Sequence, residues 1–173
     1  TRGPIVATPV LWQDTLYIGS SDGNLSALDV ATGEEKKWSF PTRDKIWATV
    51  AVDGDTVYLA SMDHHLYALD IASPQVKVKW RFKAGGAIAS SPQVRGDSIY
   101  FASFDHYVYS LDRATGEERW RFLTGNWIWA SPLVVDKALY IGSFDGKMYA
   151  LDLETGRELW QQTQLQGIIR SQA

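Results

Sequence analysis

The sequence predicts an all-β protein, a β-propeller built from four-stranded antiparallel blades. Three observations support this fold class: a motif that recurs about every forty residues, a hydrophobic period of two within each copy, and a lack of helical periodicity. The repeat is easiest to follow in one Tyr, one Asp and one Trp of each copy. These residues are Tyr17, Tyr58, Tyr100 and Tyr140, then Asp29, Asp70, Asp112 and Asp152, then Trp38, Trp80, Trp120 and Trp160. Repeats of this length form units that stack or surround an axis.

Each copy contains four short segments with strand character. The most distinct is a run of β-branched and aromatic residues around the repeated Tyr, which is typical of a strand. The four runs are 15–19, 56–60, 98–102 and 138–142, and shorter segments precede them at 7–11, 48–52, 90–94 and 130–134. A tight turn such as Asp145-Gly146 leads into a third strand, and a fourth strand carries the Trp. Four antiparallel strands per repeat favour a propeller over a solenoid, whose coils are usually shorter or contain helices.

The repeat makes the whole chain, 1–173, a single propeller domain. Its four blades are predicted at approximately 4–44, 45–85, 86–125 and 126–166. Residues 167–173 are predicted to begin a fifth blade, because Ser171 lies 40 residues beyond Ser131 and Ser131 lies 40 beyond Ser91. Three arrangements follow from this count: part of a larger ring, a half-ring that pairs with itself into eight blades, or a closed ring of four.

The segment 150–160, Ala-Leu-Asp-Leu-Glu-Thr-Gly-Arg-Glu-Leu-Trp, carries the most specific motif. It resembles the tryptophan-docking motif of pyrroloquinoline-quinone-type (PQQ-like) propeller repeats, Ala-x-Asp-x-x-Thr-Gly-x-Glu-x-Trp. Segment 110–120 has Ser for Ala, and segment 27–38 has one extra residue before the Trp. Segment 68–80 is two residues longer and has Ser73-Pro74-Gln75 where Thr-Gly is expected. The resemblance covers essentially the whole chain, and it implies about seven or eight blades in a complete ring.

The docking motif implies a structural role for its residues. The Asp side chain can accept hydrogen bonds from backbone N–H groups of the turn, and the Gly permits a left-handed conformation. In the family the Trp packs against the motif of the neighbouring blade, as suits a large flat side chain. The residues assigned to this role are Asp29, Trp38, Asp70, Trp80, Asp112, Gly116, Trp120, Asp152, Gly156 and Trp160.

One face of the propeller is a candidate binding surface. The turn after the second strand and the link to the next blade lie at the same end of an antiparallel blade. Links 41–47, 83–88 and 124–129 therefore share a face with the acidic turns. The candidate ligand- or partner-binding residues on this face are Arg43, Trp47, Phe104, His106, Trp127 and Trp129. Such an aromatic rim suits a flat ligand or a peptide; the alternative is that the rings fill space between blades.

His64 and His106 replace the turn Gly in the second and third copies, beside Asp63 and Asp105. Two His and two carboxylates could bind a metal ion. However, His also tolerates a left-handed turn better than most residues, so we assign no metal ligand. The sequence contains no phosphate-binding loop or nucleophile motif, and we assign no catalytic residue.

Composition narrows the range of partners and cofactors. The net charge is −3, with acidic and basic residues interleaved, which argues against a nucleic-acid-binding face. No apolar run approaches the length of a membrane span, so we expect no transmembrane segment. PQQ-dependent dehydrogenases share the resemblance, but the sequence lacks an adjacent Cys pair and a clear calcium-binding cluster. We therefore expect no bound PQQ or calcium.

The resemblance implies a scaffold rather than an enzyme. Similar repeats form the outer-membrane assembly lipoprotein of the bacterial envelope, which favours a protein or peptide partner and an envelope location. Self-association into a closed ring is a further possibility, because an open arc leaves apolar blade faces uncovered. The alternatives are a sensor or ligand-binding domain of a multidomain kinase or envelope protein, and a remnant of a PQQ-dependent dehydrogenase.

Overall fold

The computed structural model describes residues 2–72 and 75–162, except for the side chains of residues 36 and 37. Within these residues the chain forms four antiparallel sheets of four strands and no helix. The strands are β1 Val10–Trp12, β2 Thr15–Gly19, β3 Asn24–Asp29, β4 Glu35–Pro41, β5 Ala51–Asp53, β6 Thr56–Ala60, β7 His65–Asp70, β8 Lys77–Lys83, β9 Gln93–Arg95, β10 Ser98–Ala102, β11 Tyr107–Asp112, β12 Glu118–Leu123, β13 Leu133–Val135, β14 Ala138–Gly142, β15 Met148–Asp152 and β16 Glu158–Gln162. Each sheet pairs four consecutive strands in chain order, so the predicted four-stranded blades are confirmed. The segment 167–173, predicted to begin a fifth blade, lies outside the described residues.

The second strand of every blade has the bounds that the sequence predicts. Strands β6 and β10 are buried along their whole length, because neighbouring blades cover both of their faces. The first strands begin three residues later than predicted. Proline precedes three of them and cannot donate to a sheet ladder. In addition, the N–H of Thr49 donates to the hydroxyl of Ser91 in the next blade rather than to its own sheet.

The first strands lie nearest the axis, where β1, β5, β9 and β13 contact one another in series. A ladder of hydrogen bonds follows them around the inner rim. The N–H of Thr8 donates to the Thr49 hydroxyl at 3.2 Å, that of Thr49 to Ser91 at 3.0 Å, and that of Ser91 to Ser131 at 2.9 Å. Among the described strands, those of the fourth blade do not contact those of the first. The described blades form an open arc, so the closed ring of four is wrong.

The fourth strand lies at the outside of each blade and carries the docking Trp. Trp80 lies against Gly116 of the third blade, and Trp120 lies against Gly156 of the fourth. A Cβ atom on either glycine would come within 2.6 Å of the indole ring. The indole N–H of Trp80 donates to the carbonyl of Arg113 at 3.0 Å, and that of Trp120 to the carbonyl of Leu153 at 3.2 Å. Each of these Trp residues therefore seats on the Asp-x-x-Thr-Gly turn of the following blade.

A second aromatic contact joins each pair of blades. A Phe two residues after the Trp packs edge-on against a Tyr in the third strand of the next blade. The three pairs are Phe40–Tyr67, Phe82–Tyr109 and Phe122–Tyr149, with ring centroids 5.3, 5.4 and 5.5 Å apart. The second and third interfaces thus combine a docked Trp with a Phe–Tyr pair, and the first has the pair Phe40–Tyr67.

Candidate binding surface

The acidic turn residues connect each blade to the preceding link. The backbone N–H of Arg43 donates to Asp63 at 3.0 Å, and that of Gly125 donates to Asp145 at 2.8 Å. The hydroxyl groups of Tyr67 and Tyr149 donate to the same two carboxylates at 2.7 and 2.6 Å. These carboxylates therefore hold the links in place.

The pKa values of these groups reflect the same hydrogen bonds. Burial by itself would raise the pKa of Asp63 and Asp145. The hydrogen bonds from link backbone and tyrosine hydroxyl outweigh burial, so both pKa values lie below the ordinary aspartate value. In the first blade, the backbone N–H of Arg2 is the main cause that lowers the pKa of Asp22 to about 2. Burial, followed by the hydrogen bond to the carboxylate, raises the pKa of Tyr67 and therefore keeps its hydroxyl a donor.

Four aromatic side chains of the links and turns form one cluster, Trp47, Phe104, Trp127 and Trp129, here called the aromatic cluster. Trp47 stacks on Trp129 with centroids 5.5 Å apart, and Phe104 contacts Trp129 at 5.4 Å and Trp127 at 5.8 Å. Trp47 and Trp129 occupy the same repeat position in the first and third links. The second link has the small, buried Ala89 at that position, which lets the two indoles meet across it.

The cluster borders an apolar depression of about 490 Å³, lined by Pro4, Val6, Ser21, Lys45, Trp47 and Trp129. The indole N–H of Trp47 donates to the Ser21 hydroxyl at 3.2 Å, which fixes the ring. The Lys45 ammonium lies 5.4 Å from the centre of the same ring. Trp127 is 52% exposed despite its size. The surface therefore offers flat apolar rings beside one cation, a combination suited to aromatic and aliphatic side chains.

The structure places four of the six candidate binding residues in the aromatic cluster, and these four remain predicted binding residues. Arg43 is exposed on its link, and its backbone N–H is engaged by Asp63. His106 has a φ of 76°, and its carbonyl accepts the N–H and hydroxyl of Thr124. No ring contact in the described part of the chain joins His106 to the cluster. His106 therefore has a backbone role in its turn.

Sequence reasoning missed Pro4, Val6 and Lys45, which line the depression. The repeat itself contains the signal that could have found them. Pro4 and Lys45 occupy the position of Trp127, and Val6 occupies that of Trp129. Comparison by repeat position, rather than by aromatic character, would have included all three.

Two further features bear on possible chemistry. Across residues 2–72 and 75–162, no group of three or more His, Cys, Asp or Glu side chains is arranged to hold a metal ion. His64 and His106 both adopt the left-handed conformation, with φ of 72° and 76°, which accounts for their turn positions.

The described residues contain no helix that is long and apolar enough to cross a membrane.

A family comparison agrees with the blade geometry. The family model described as outer membrane protein assembly factor BamB matches residues 2–77 and 35–171, which together span almost the whole chain. The chain belongs to this PQQ-like repeat family. The family resemblance predicted from the docking motif is therefore confirmed. A separate comparison with curated proteins finds no significant match.

Many solved structures are similar to the chain, and three of them are described here. BamB from Moraxella catarrhalis has a TM-score of 0.69 at 20% identity, over 94% of this chain and 66% of that one. Quinohemoprotein alcohol dehydrogenase from Comamonas testosteroni has a TM-score of 0.80 at 19% identity, over 96% and 36%. The computationally designed Ika8 protein has a TM-score of 0.83 at 17% identity, over 94% and 50%. At these identities the likeness shows the fold, and the chain spans about two thirds or less of each protein.

Proposed function

We propose that this chain is a non-catalytic propeller platform that binds a protein or peptide partner through the aromatic cluster. The observation that carries the proposal is the half-exposed ring surface formed by Trp47, Phe104, Trp127 and Trp129 beside an apolar depression. Exposed Trp side chains at the centre of such a surface are typical anchors of protein interfaces. The description of the matched family as an outer membrane protein assembly factor supports a protein partner and a location in the cell envelope.

The partner that fits this surface is an extended segment with apolar side chains and at least one carboxylate. The rings and Val6 supply an apolar floor, since Val6 is 51% exposed. Lys45 and the exposed Arg43 supply positive charge at the edge of the same face. Apolar anchors give affinity, and the cations favour acidic partners.

A quinone dehydrogenase is the competing function, because one structural relative is a quinohemoprotein. The acidic turn residues argue against it. Asp63, Asp105 and Asp145 each accept hydrogen bonds from a link N–H and from a tyrosine hydroxyl. Carboxylates engaged in this way hold the links to the blades, and the described residues contain no group of three or more His, Cys, Asp or Glu side chains of the kind that calcium ligation needs.

The test is selection of binding peptides from a display library, followed by titration of the selected peptides. Trp127→Ala is expected to weaken binding by roughly thirtyfold, as for an anchor worth about 2 kcal/mol. Leu123→Ala is the matched control, because Leu123 is 56% exposed on strand β12 and lies outside the aromatic cluster. Selected peptides that bind wild type and Trp127→Ala equally well would contradict the proposal, as would a library that yields no binder.

A further inference from the structure

The fourth blade presents a face that is covered in every other blade. Tyr17, Tyr58 and Tyr100 are 3–4% exposed, whereas the equivalent Tyr140 is only partly buried. Trp160 is 46% exposed, although Trp80 and Trp120 each seat on a following blade. This outgoing face consists of Leu133, Tyr140, Trp160 and Gln162.

The first blade presents the opposite face. Leu16 and Leu28 are partly exposed, while the residues at the same positions in the other three blades are completely buried: Val57, Ile99, Leu139, Leu69, Leu111 and Leu151. Leu11 and Val30 are more than half exposed. This incoming face consists of Leu11, Leu16, Ser26, Leu28, Val30 and Gly33.

The two faces carry the two halves of the docking contact. Gly33 has a φ of 70°, and a Cβ built on it would meet nothing within 4 Å. At Gly116 and Gly156, the same construction meets a Trp ring at 2.6 and 2.5 Å. The first blade thus has an intact docking turn on which no described Trp sits. The fourth blade has an exposed Trp160 that no described turn covers.

A separate pair of residues supports the same contact between the two faces. The Phe of the interface Phe–Tyr pair is replaced by Gln162 in the fourth blade, and the Tyr is replaced by Ser26 in the first. Both replacements are polar, and they are at the two positions that would face each other if these blades met. Ser26 already lies 3.4 Å from Glu35 in a polar environment. A contact between the faces would therefore pair two polar side chains and leave neither aromatic ring without its partner.

From these observations we propose that two copies of this chain associate head to tail, with the outgoing face of each copy docked on the incoming face of the other. Trp160 of one copy lies over Gly33 of its partner, and its indole N–H donates to the Val30 carbonyl, as Trp80 does to Arg113. Each copy supplies one face of each kind, so two copies in this arrangement meet through two identical contacts, with four blades from each copy. This self-association is independent of the peptide-binding proposal, because it uses the outgoing and incoming faces and not the aromatic cluster.

The first experiment measures the mass of the chain by sedimentation and light scattering over a wide range of concentration. Wild type is expected to reach twice the mass of one chain. Trp160→Ala is expected to raise the dissociation constant at least thirtyfold, as loss of an interface anchor does. The control is Leu159→Ala, which removes an adjacent side chain that is 55% exposed and has no partner in the β15–β16 register, where a bulge separates it from the row of Trp160 and Gln162. A wild-type chain that stays monomeric over the whole concentration range would overturn the proposal.

A mixing experiment tests the head-to-tail arrangement. Trp160→Ala damages only the outgoing face, and Val30→Asp damages only the incoming face. Each variant alone is expected to be monomeric where wild type is dimeric. An equimolar mixture regains one intact contact and is expected to form dimers. A mixture that stays monomeric while both variants remain folded would overturn the arrangement, and assemblies larger than two copies would overturn the closed pair.

A gain of affinity provides an independent check. Restoring the aromatic pair with Ser26→Tyr and Gln162→Phe together is expected to tighten the dimer by up to about tenfold. Each single change is expected to do less than the pair. Additive effects of the two single changes would show that residues 26 and 162 do not meet, and would overturn the proposed contact.

Discussion

The glycine of the docking turn meets two structural requirements, a positive φ and space for the ring of the docked Trp. Gly116 has a φ of 76°, a conformation that side chains disfavour, and the ring of Trp80 occupies the space where a Cβ would be. Gly96 shares the positive φ, at 56°, but has open space in the Cβ direction. The two positions therefore separate backbone strain from loss of the docking contact.

We predict that Gly96→Ala lowers the free energy of unfolding by about 1 kcal/mol, which is the strain of a left-handed alanine. Gly116→Ala should lower it by about 2–4 kcal/mol, because overpacking against Trp80 adds to that strain. Urea denaturation followed by tryptophan fluorescence measures both values. Equal losses in the two variants would show that Trp80 moves aside freely and that its seat on Gly116 contributes little.

The carboxylates that hold the links predict a dependence of stability on pH. Because the pKa of Asp145 is lower in the folded protein than its ordinary value, folding is favoured by the ionised form. This contribution is complete above about pH 4 and is lost as the pH falls below the ordinary aspartate pKa. We predict that wild type melts at a higher temperature than Asp145→Asn near neutral pH and that the difference narrows in acid.

Thermal melting between about pH 6 and pH 3 measures this effect. The control is Asp136→Asn, a change at an exposed residue in the β13–β14 turn. It should leave the pH dependence of wild type unchanged. A constant difference between wild type and Asp145→Asn at every pH would mean that the Asp145 charge plays no part in holding the link.

At the level of single strands, sequence periodicity predicts the bounds of the second strands correctly. It predicts the start of the first strands, which lie nearest the axis, three residues too early. The Tyr strands all have the predicted bounds, and the pattern of β6 and β10 reflects their burial between two neighbouring blades. The Thr and Ser residues before the first strands pair across blades, and a pattern within one repeat contains no information about pairing with the next.

The inner ladder predicts a specific sensitivity at Ser91. Ser91→Ala removes the acceptor of the Thr49 N–H, which then lies unpaired in a largely buried site. We expect the free energy of unfolding to fall by about 1–3 kcal/mol. Ser91→Thr should be nearly neutral, since the first two blades use Thr at this position. Chemical denaturation distinguishes the two, and an equal loss in both variants would assign the effect to packing instead of the hydroxyl.

At the scale of the whole molecule, the aromatic cluster could be predicted only in part. Repeat topology places the links on one face, so the sequence indicates that Trp47, Trp127 and Trp129 share a surface. The contact between Trp47 and Trp129 could not be predicted, because it depends on the curvature of the arc and on the small Ala89 between them. An open arc is common to two of the three predicted arrangements, the part of a larger ring and the half-ring, and the repeat length alone does not distinguish either from a closed ring of four.

The blade interfaces predict a position effect for identical substitutions. Trp120→Ala removes a ring that seats on Gly156 and donates to the Leu153 carbonyl, so it should cost about 3–5 kcal/mol of unfolding free energy. Trp160→Ala removes a half-exposed ring and should cost about 1 kcal/mol in dilute solution. Denaturation at low protein concentration measures both. Equal costs would mean that Trp160 is already docked within its own chain.

The hydroxyl ladder at the axis has a direction. Each of the first three blades directs a backbone donor towards the following blade, and each of the last three presents a hydroxyl acceptor to the preceding one, so this ladder joins successive blades in the same way. Duplication or deletion of one whole repeat leaves each remaining donor with an acceptor of the same kind. The number of blades is therefore set by how many are needed to close the ring. Proteins of this kind can gain or lose a repeat while the hydrogen bonds between adjacent blades stay the same.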